Sequence, residues 1–316
     1  MPQGPLAIQT ELLDHEAAAW LADRCELVVC PPEELPRFEQ LLPRAEALVI
    51  RTYTRVDDAL LARARKLKVV GRAGVGLDNV DIQACQARGV RVVSTPGANT
   101  RAVVELVTAF MFDALRPRLF IEGPLAKAEW GRVRSELIAP RQLGDLTLGV
   151  VGFGRVGSAI ARVGAAMDMR VVYSDLLEIP ADRRSGATPA ALQEVLEQAD
   201  VLTIHVDGRA ENRNLIGARE LSRMKREVVL INTSRGFVVA PMALAEFLIA
   251  NKGAQAILDV HEPEPIEAAY PLFDLPNAHL SPHIGAATAT AHRNMSWVVR
   301  DVWRVLNGEK PENPAW

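Results

Sequence analysis

Short apolar runs alternate along this chain with longer segments in which apolar residues recur every three or four positions. The short runs have the length of β-strands, and several are unbroken series of valine, isoleucine and leucine, typical of strands covered on both faces. The longer segments predict amphipathic helices. The predicted strands are Leu6–Gln9, Leu27–Cys30, Ala47–Ile50, Lys68–Val70, Val90–Val93, Thr147–Val151, Arg170–Tyr173, Val201–Ile204, Val228–Ile231, Ala256–Leu258 and Ala278–Leu280.

This alternation of strand and helix predicts an α/β fold with two doubly wound parallel sheets. The strands fall into two series, and the break between them lies at the S-T-P-G-A-N segment, residues 94–99. Helical patterns run from this break to about Leu115, from Pro124 to Leu137 and from Thr288 to Leu306.

The domain boundaries follow from the break and from the last helical pattern. We expect a first domain of residues 1–98 and 287–316, which would hold both chain ends. The second domain, residues 99–286, would then be inserted into the first.

Composition narrows the class of protein. The chain has 316 residues, 49% of them hydrophobic, and a net charge of −3, which suits roughly two domains with sizeable cores and gives no sign of a nucleic-acid partner. Neither a secretory signal peptide nor a membrane-spanning segment is predicted. Cys25, Cys30 and Cys85 form no C-x-x-C spacing and are expected to be reduced thiols of a cytoplasmic protein. No residues have metal-ligand spacing, so no metal is predicted.

A glycine motif, G-F-G-R-V-G at 152–157, directly follows a predicted strand and precedes a helical segment. In this context Gly152 permits a tight turn, Gly154 lets a pyrophosphate approach, and Gly157 lets the helix pack on the strand. Asp175 ends the next strand, 23 residues after Gly152 (175 − 152). Its carboxylate suits the ribose hydroxyls of NAD and would repel the 2′-phosphate of NADP. The motif therefore predicts an NAD site, the alternative being a turn between packed elements.

Three polar residues far apart in the chain also follow predicted strands: Arg235, Glu264 and His283. Because loops after parallel strands gather at one edge of the sheet, we expect these side chains to meet. The guanidinium would bind an anion, the imidazole would exchange a hydroxyl proton and the carboxylate would orient the imidazole. These are the parts needed to oxidise an alcohol next to a carboxylate. Glu262 is the competing candidate for the carboxylate.

A second glycine-rich segment, G-R-A-G-V-G at 71–76, also lies between a predicted strand and a helix. Its spacing differs from the dinucleotide motif, and Asp78 and Asp81 open the helix where a phosphate would sit. Close approach of the backbone there could still serve a smaller anion, such as a carboxylate.

Both glycine segments, with I-N-T-S-R-G (231–236), L-D-V-H-E-P-E-P (258–265) and S-P-H-I-G-A (281–286), resemble the NAD-dependent D-2-hydroxyacid dehydrogenases, in the order of that family. The resemblance implies a flavodoxin-like substrate domain and an inserted Rossmann domain that binds NAD. It implies an oxidoreductase that transfers a hydride between NAD and a D-2-hydroxyacid. It also suggests a homodimer built on the helices that follow Asn99.

The resemblance implies a role for each site residue. Arg235 would bind the substrate carboxylate and the reacting oxygen, His283 would be the acid/base, and Glu264 would hold its other ring nitrogen. Asp259 would bind the nicotinamide carboxamide, and the N–H groups of Val75 and Gly76 the substrate carboxylate. The predicted cofactor-binding residues are Gly152, Gly154, Arg155, Val156, Gly157, Asp175, His205, Thr233 and Asp259. For His205 a structural role is the competing interpretation.

The substrate prediction depends on polar residues outside this catalytic set. Arg51 and Arg72 look like residues of family members that act on D-3-phosphoglycerate, and Asn99 and Arg132 resemble positions near the phosphate. Converging arginines suit a dianionic phosphate. The predicted substrate-binding residues are therefore Arg51, Arg72, Val75, Gly76, Asn99 and Arg132.

The favoured reaction is the oxidation of D-3-phosphoglycerate to 3-phosphohydroxypyruvate, which leads into serine biosynthesis. A hydroxypyruvate or glyoxylate reductase is the alternative among enzymes. A non-enzymatic NAD-sensing protein, like the C-terminal-binding-protein corepressors, is the alternative of another class.

Overall fold

The structure is a computed structural model that describes residues 4–116 and 118–316. Its contacts divide the chain into two compact units. One holds the chain up to Arg101 together with Ala286–Trp316, and the other holds Ala102–Gly285. Each unit has its own parallel sheet and its own apolar core. The substrate-binding role predicted for the first domain and the cofactor-binding role predicted for the second remain predictions.

The elements of both units alternate along the chain. The strands are β1 (Leu6–Gln9), β2 (Glu26–Val29), β3 (Ala47–Ile50), β4 (Val69–Arg72), β5 (Arg91–Val93), β6 (Thr147–Val151), β7 (Arg170–Ser174), β8 (Thr188–Pro189), β9 (Val201–Ile204), β10 (Val229–Asn232), β11 (Gln255–Leu258) and β12 (Ala278–Leu280). The α-helices are α1 (His15–Ala22), α2 (Leu35–Leu41), α3 (Asp58–Arg63), α4 (Ile82–Ala87), α5 (Thr100–Leu115), α6 (Lys127–Glu136), α7 (Arg155–Ala166), α8 (Leu192–Gln198), α9 (Ala218–Leu221), α10 (Pro241–Ala250), α11 (Ala289–Ser296) and α12 (Val299–Leu306).

The sheet of the first unit is parallel throughout, with the order β2-β1-β3-β4-β5. This is the flavodoxin-like order, in which the chain starts in the middle of the sheet and winds outward in both directions. Every residue of β1 and β3 is buried, as expected for inner strands covered on both faces. Helix α12 packs on β4 at Gly71, where a Cβ would lie 2.3 Å from Val302 Cγ2.

The second unit has a seven-stranded parallel sheet with the order β8-β7-β6-β9-β10-β11-β12. Counted from β6 this is 3-2-1-4-5-6-7, the Rossmann order with one further strand, and the direction of winding reverses between β6 and β9. Loops after β6, β7, β9 and β10 therefore open at the same edge of the sheet. The predicted α/β class, with a flavodoxin-like unit and a Rossmann unit, is confirmed.

Some predicted elements differ in detail. The pattern did not predict β8, a pair of residues that includes a proline, because it is too short to show alternation. The last helical pattern was predicted as one helix, but the structure divides it into α11 and α12 at Trp297 and Val298. Val298, Val299 and Val302 are all buried, and Val298 and Val302 lie against Gly71 of β4.

None of the helices within the described residues is both long enough and apolar enough to cross a membrane.

Candidate active site

The turn after β6 has the form that a pyrophosphate needs. Gly152 has a φ of +87°, and a Cβ on it would lie 2.7 Å from the carbonyl carbon of His205, so a side chain is excluded twice over. A Cβ on Gly154 would meet nothing within 4 Å. Helix α7 begins at Arg155, and its first N–H groups face this open space. The predicted Arg155 and Val156 lie in that first turn.

Asp175 stands at the end of β7 with its carboxylate turned toward the glycine turn. Its Oδ2 accepts the N–H of Phe153 at 2.6 Å, and its Oδ1 accepts the N–H of Leu177 at 2.8 Å. An ionised carboxylate has about four acceptor positions, so both oxygens can still accept a ribose hydroxyl. The two backbone bonds hold the acid where the ribose of NAD would lie.

Two more predicted cofactor residues lie at this edge of the sheet. The Oγ1 of Thr233, just after β10, is buried and has no hydrogen-bond partner among the described residues, which fits a group completed by a ligand. His205 follows β9, and its Nε2 lies 2.9 Å from Thr203 Oγ1. Burial lowers the pKa of His205 to about 3, so this imidazole is neutral at physiological pH. These features fit NAD at the carboxyl edge of the sheet.

His283 and Glu264 form the expected pair. The Nδ1–H of His283 donates to Glu264 Oε2 at 2.7 Å, which leaves Nε2 as the ring nitrogen available for a substrate proton. Burial acts to raise the pKa of Glu264, but hydrogen bonds from His283 and from the backbone N–H of His261 outweigh it, so the pKa lies below its usual value. Glu264 is therefore ionised at neutral pH, as a partner of an imidazolium must be. Glu262, the competing candidate, points elsewhere.

The loop that carries His283 is held by Asp259, which is 1% exposed. The carboxylate accepts the hydroxyl of Ser281 at 2.5 Å and the N–H groups of Ile284 and Gly285 at 2.8 and 2.7 Å. His283 itself has a φ of +55°, a left-handed conformation that costs a non-glycine residue about 1–2 kcal/mol. Three of about four acceptor positions on Asp259 are thus used to hold the loop, leaving one for the nicotinamide carboxamide.

Arg235 follows β10, beside the loop that carries Glu264. The contact is made by Gly236, where a Cβ would lie 2.0 Å from the carbonyl carbon of His261. Only a glycine lets the two loops approach this closely. Arg235 Nη1 donates to the carbonyl of Ser234 at 2.7 Å. The three predicted catalytic residues thus lie on loops at the same edge of the second unit's sheet, and their roles in catalysis stay predictions.

Two predicted substrate residues of the first unit lie at the ends of neighbouring strands: Arg72 is the last residue of β4, and Arg51 directly follows β3, whose Ile50 pairs with Arg72. Arg51 Nη1 donates to the carbonyl of Leu12 at 3.3 Å. The guanidinium of Arg72 folds over Gly74, where a Cβ would lie 1.4 Å from Nη1. Gly74 leads into Val75 and Gly76, whose N–H groups are the predicted carboxylate donors.

The remaining two predicted substrate residues lie further from these loops in sequence. Asn99 immediately precedes α5. Arg132 lies on α6, in the second unit, where its Nη1 donates to both carboxylate oxygens of Glu136 at 2.8 Å. The structure therefore places Arg51 and Arg72 at the ends of adjacent strands and pairs Arg132 within its own helix.

Glu11 was not expected near the predicted substrate residues, yet its carboxylate accepts the backbone N–H groups of residues 51–54. Burial acts to raise the pKa of Glu11, but these four bonds outweigh it and the pKa is lowered. An anionic substrate at this loop would therefore depend on side chains rather than on these N–H groups. Only the position of Glu11, just after β1, could have indicated this in the sequence.

Two further residues of the second unit escaped the sequence reasoning. Ser281 donates to Asp259, and Arg213 forms an ion pair with Glu262. Their neighbours in sequence gave no signal beyond the S-P-H context of Ser281. In the part of the chain that the structure describes, no three His, Cys, Asp or Glu side chains group as metal ligands.

Comparison with known proteins agrees with this arrangement. Residues 108–285 match the family described as "D-isomer specific 2-hydroxyacid dehydrogenase, NAD binding domain". The chain is 36% identical to a D-3-phosphoglycerate dehydrogenase of Archaeoglobus fulgidus over 82% of its own length, and spans about half (49%) of that relative. It is 33% identical to a glyoxylate reductase of Aeropyrum pernix, over 98% of this chain and 95% of the relative.

A solved structure shares the fold of this chain. The TT0316 protein of Thermus thermophilus superposes with a TM-score of 0.84 at 32% identity, over 98% of this chain and all (100%) of that one. The glycine turn, Asp175 and the His283–Glu264 pair lie in the segment that matches the family's NAD-binding domain. The chain therefore belongs to the D-isomer specific 2-hydroxyacid dehydrogenase family.

Proposed function

We propose that the protein is an NAD-dependent dehydrogenase that interconverts a D-2-hydroxyacid and its 2-oxo acid. The observation that carries the proposal is the His283–Glu264 hydrogen bond of 2.7 Å, in the same unit as the NAD-binding turn. A carboxylate-bound imidazole is a proton-exchanging group, and a bound dinucleotide takes up the electrons that leave with the hydride.

The chemistry of these residues follows from their atoms. In the oxidation, His283 Nε2 would accept the hydroxyl proton of the substrate, and NAD, held by the glycine turn and Asp175, would supply the acceptor for the C2 hydride. The imidazolium that forms is stabilised by Glu264, whose lowered pKa keeps it ionised. Arg235 would bind the substrate carboxylate and stabilise the alkoxide-like oxygen. In the reduction, the same imidazolium returns the proton to the oxygen of the 2-oxo acid.

D-3-phosphoglycerate is the substrate that we propose, which would place the reaction at the entry to serine biosynthesis. Arg72 ends β4 and Arg51 directly follows the adjacent strand β3, and we propose that their guanidinium groups bind the same dianion. The occupation of the N–H groups of residues 51–54 by Glu11 makes these side chains the main source of positive charge there. The similarity to the Archaeoglobus phosphoglycerate dehydrogenase supports the same substrate.

A hydroxypyruvate or glyoxylate reductase is the second candidate. The observation that favours it is the similarity to the Aeropyrum glyoxylate reductase, which is 33% identical over 98% of this chain. These substrates lack a phosphate, so they would not need the guanidinium groups of Arg51 and Arg72.

A substrate panel separates the two. NADH oxidation is followed with 3-phosphohydroxypyruvate, hydroxypyruvate, glyoxylate and pyruvate, for the native protein and for Arg72→Ala, with Arg65→Ala as an exposed control on the same unit. Phosphoglycerate specificity requires the highest kcat/KM on the phosphorylated acid and its selective loss in Arg72→Ala. Equal loss on every acid, or a preference for hydroxypyruvate or glyoxylate, supports the reductase. No turnover on any acid would reject both and favour an NAD-sensing binding protein.

We also propose that the protein is a homodimer that associates through α6. This helix has no buried residue, and large apolar side chains around it are exposed. Those exposed side chains are Leu119, Phe120, Ile121, Trp130 and Ile138. A groove of about 230 Å³ between the helix and the preceding loop is lined mainly by apolar residues. Both signs of charge occur along α6, which suits a self-complementary contact between two copies.

Light scattering tests this contact. Trp130→Glu would place a carboxylate in the groove and is expected to give a monomer, whereas Arg141→Glu, outside the patch, should leave the dimer intact. A dimer in both variants would mean that the interface lies outside α6.

We further propose a cytoplasmic location, which the buried free thiols Cys25, Cys30 and Cys85 support. Cell fractionation would test it.

A further inference from the structure

Arg213 joins two of the loops that carry the predicted catalytic residues. Its Nη1 donates to Glu262 Oε2 at 2.6 Å and its Nη2 to Glu262 Oε1 at 2.8 Å, a bidentate pair. Its guanidinium carbon lies 5.0 Å from the centre of the Phe237 ring. Glu262 is two residues before Glu264, and Phe237 is two residues after Arg235. The guanidinium of Arg213 therefore contacts both loops. Each of its two contacts lies two residues from a predicted catalytic residue.

The backbone around Arg213 is fixed to the Arg235 loop. The N–H of Asn214 donates to the carbonyl of Phe237 at 2.8 Å, and the N–H of Ile216 donates to the carbonyl of Val238 at 3.0 Å. Asn214 has a φ of +53°, so the chain turns directly after Arg213. The side chain thus starts from a fixed base, beside the loop after β10, and reaches the loop after β11.

The loop that carries Glu264 is held in place at His261, one residue before Glu262. His261, which is buried, donates from its Nε2 to the carbonyl of Ser281 at 2.9 Å, and its backbone N–H donates to Glu264 Oε1 at 2.8 Å. These bonds fix one end of the loop. The segment from Glu262 to Glu264 is exposed. Glu264 is held by His261 and His283, and Glu262 is held by the Arg213 pair.

Stability alone does not account for this pair. Its two side chains are 55% and 46% exposed, and exposed ion pairs add little to the free energy of unfolding. What a bidentate pair does supply is geometry, because two parallel N–H donors of the planar guanidinium fix the orientation of the carboxylate that accepts them. The attraction also acts on both partners' protonation: the hydrogen bond raises the pKa of Arg213 and lowers that of Glu262, so both stay charged over the physiological range.

We propose that Arg213 is a positioning residue, which holds Glu262 so that Glu264 meets His283 in register with Arg235. This inference rests on the proposed dehydrogenase function, since it assigns Arg213 to the same site. Arg213 makes no contact with the reacting atoms in this account; it acts through Glu262 and Phe237. Its loss should therefore reduce the rate of the chemical step and leave the dinucleotide site intact.

The test compares variants at this pair with a matched control. Arg213→Met keeps the length of the side chain and removes the charge; Arg213→Lys keeps the charge and removes the fork. Arg213→Glu combined with Glu262→Arg restores an ion pair with exchanged partners. Arg223→Met is the control, because Arg223 donates to Glu197 at 2.6 Å at an exposed site of the same unit away from these loops.

We expect kcat to fall by about 10- to 100-fold in Arg213→Met, the range seen when a group that orients a functional residue is lost. Arg213→Lys should lie between this variant and the native protein, and the exchanged pair should recover most of kcat. NADH affinity, measured by fluorescence, and the Tm should match those of Arg223→Met. The pH profile of kcat for reduction should shift to lower pH in Arg213→Met, because a displaced Glu264 stabilises the imidazolium less. His261 and Tyr270 are the other titratable groups beside Glu264.

An assay that does not need turnover separates this inference from the proposed function. In protein labelled with ¹⁵N-histidine, the Nδ1–H of His283 bonded to Glu264 gives a downfield proton signal, which His283→Gln identifies. The inference requires this signal in the native protein and in Arg223→Met, and its loss or broadening in Arg213→Met. An unchanged signal, or an unchanged kcat in an active enzyme, overturns it. If the signal behaves as expected but no 2-oxo acid is reduced, the positioning holds and the proposed function fails.

Discussion

Gly236 offers the sharpest test of the spacing between the loops that carry Arg235 and Glu264. In Gly236→Ala the new Cβ would lie 2.0 Å from the carbonyl carbon of His261, 2.1 Å from its oxygen and 2.5 Å from its Cα. All three atoms belong to the backbone, so rotation of a side chain cannot relieve the overlap. Ordinary contact begins at 3.4 Å, and the loops must therefore separate by about 1.4 Å (3.4 − 2.0).

That separation would act directly on the predicted chemistry. The backbone N–H of His261 donates to Glu264 Oε1, so a displaced His261 moves Glu264 relative to Arg235. A misplacement of about 1 Å can cost roughly 100-fold in rate. Overpacking typically costs about 1–3 kcal/mol of stability, which in a unit of this size lowers the Tm by about 2–4 °C for each kcal/mol. We expect kcat to fall by about two orders of magnitude.

The assay is steady-state NADH oxidation on the preferred 2-oxo acid, together with NADH binding by fluorescence and thermal unfolding. Gly144→Ala is the control, because its Cβ would meet only atoms at 3.5 and 3.7 Å. Native kcat in a folded Gly236→Ala protein would refute the reasoning, since it would mean that the spacing of these two loops does not set the rate. An equal loss of NADH affinity would instead show that the whole unit is disturbed.

Four further outcomes are expected. Gly154→Ala should fold normally, because its Cβ meets nothing within 4 Å. It should bind NADH more weakly, because the methyl group fills the space for the pyrophosphate. Unchanged NADH affinity would mean that the cofactor does not bind at this turn. His283→Ala should abolish turnover with NADH binding nearly intact, whereas lost binding would indicate a structural histidine. Asp175→Ala should raise the ratio of NADPH to NADH use in kcat/KM, and an unaltered ratio would place cofactor selectivity in another residue. Since the folded-state pKa of Glu11 lies below 4.5, the stabilisation by its carboxylate is complete above that pH and is lost as the pH falls through the lowered pKa. Glu11→Gln should therefore lower the free energy of unfolding at pH 7 by roughly 1 kcal/mol and flatten its decline below about pH 4.5. Parallel acid unfolding curves for the native protein and the variant would contradict this.

Local patterns predicted most of the fold because the physical causes are local. Unbroken apolar runs indicated strands buried on both faces, and the structure places β1, β3, β9 and β10 in that setting. The glycine motif was readable for the same reason: a positive φ at Gly152 and the open face of Gly154 are properties of a few consecutive residues. Element ends were less predictable, as the division of α11 from α12 shows, because packing on β4 decides them.

The site could be predicted only in part. Arg235, Glu264 and His283 were identifiable because each follows a strand and parallel strands end at one edge. The strand pattern alone did not separate Glu262 from Glu264, since both are exposed carboxylates in the same short loop, and the prediction of Glu264 came from the family resemblance. In the structure Glu262 accepts hydrogen bonds from Arg213, and Glu264 accepts one from His283. Such a choice depends on distances between loops that come from distant parts of the chain.

The sequence by itself determined the two doubly wound units, the NAD-binding turn and the three residues predicted to perform the chemistry, because periodicity, chain reversal and residue type act over a few positions. The tertiary structure decided which charges meet. Glu11 takes the N–H groups of the loop after β3, Asp259 holds a left-handed His283, and Arg213 joins the loops of Arg235 and Glu264. The physical reason is that hydrogen bonds and ion pairs require alignment within about 3 Å, and only the packed sheet brings these loops within that range.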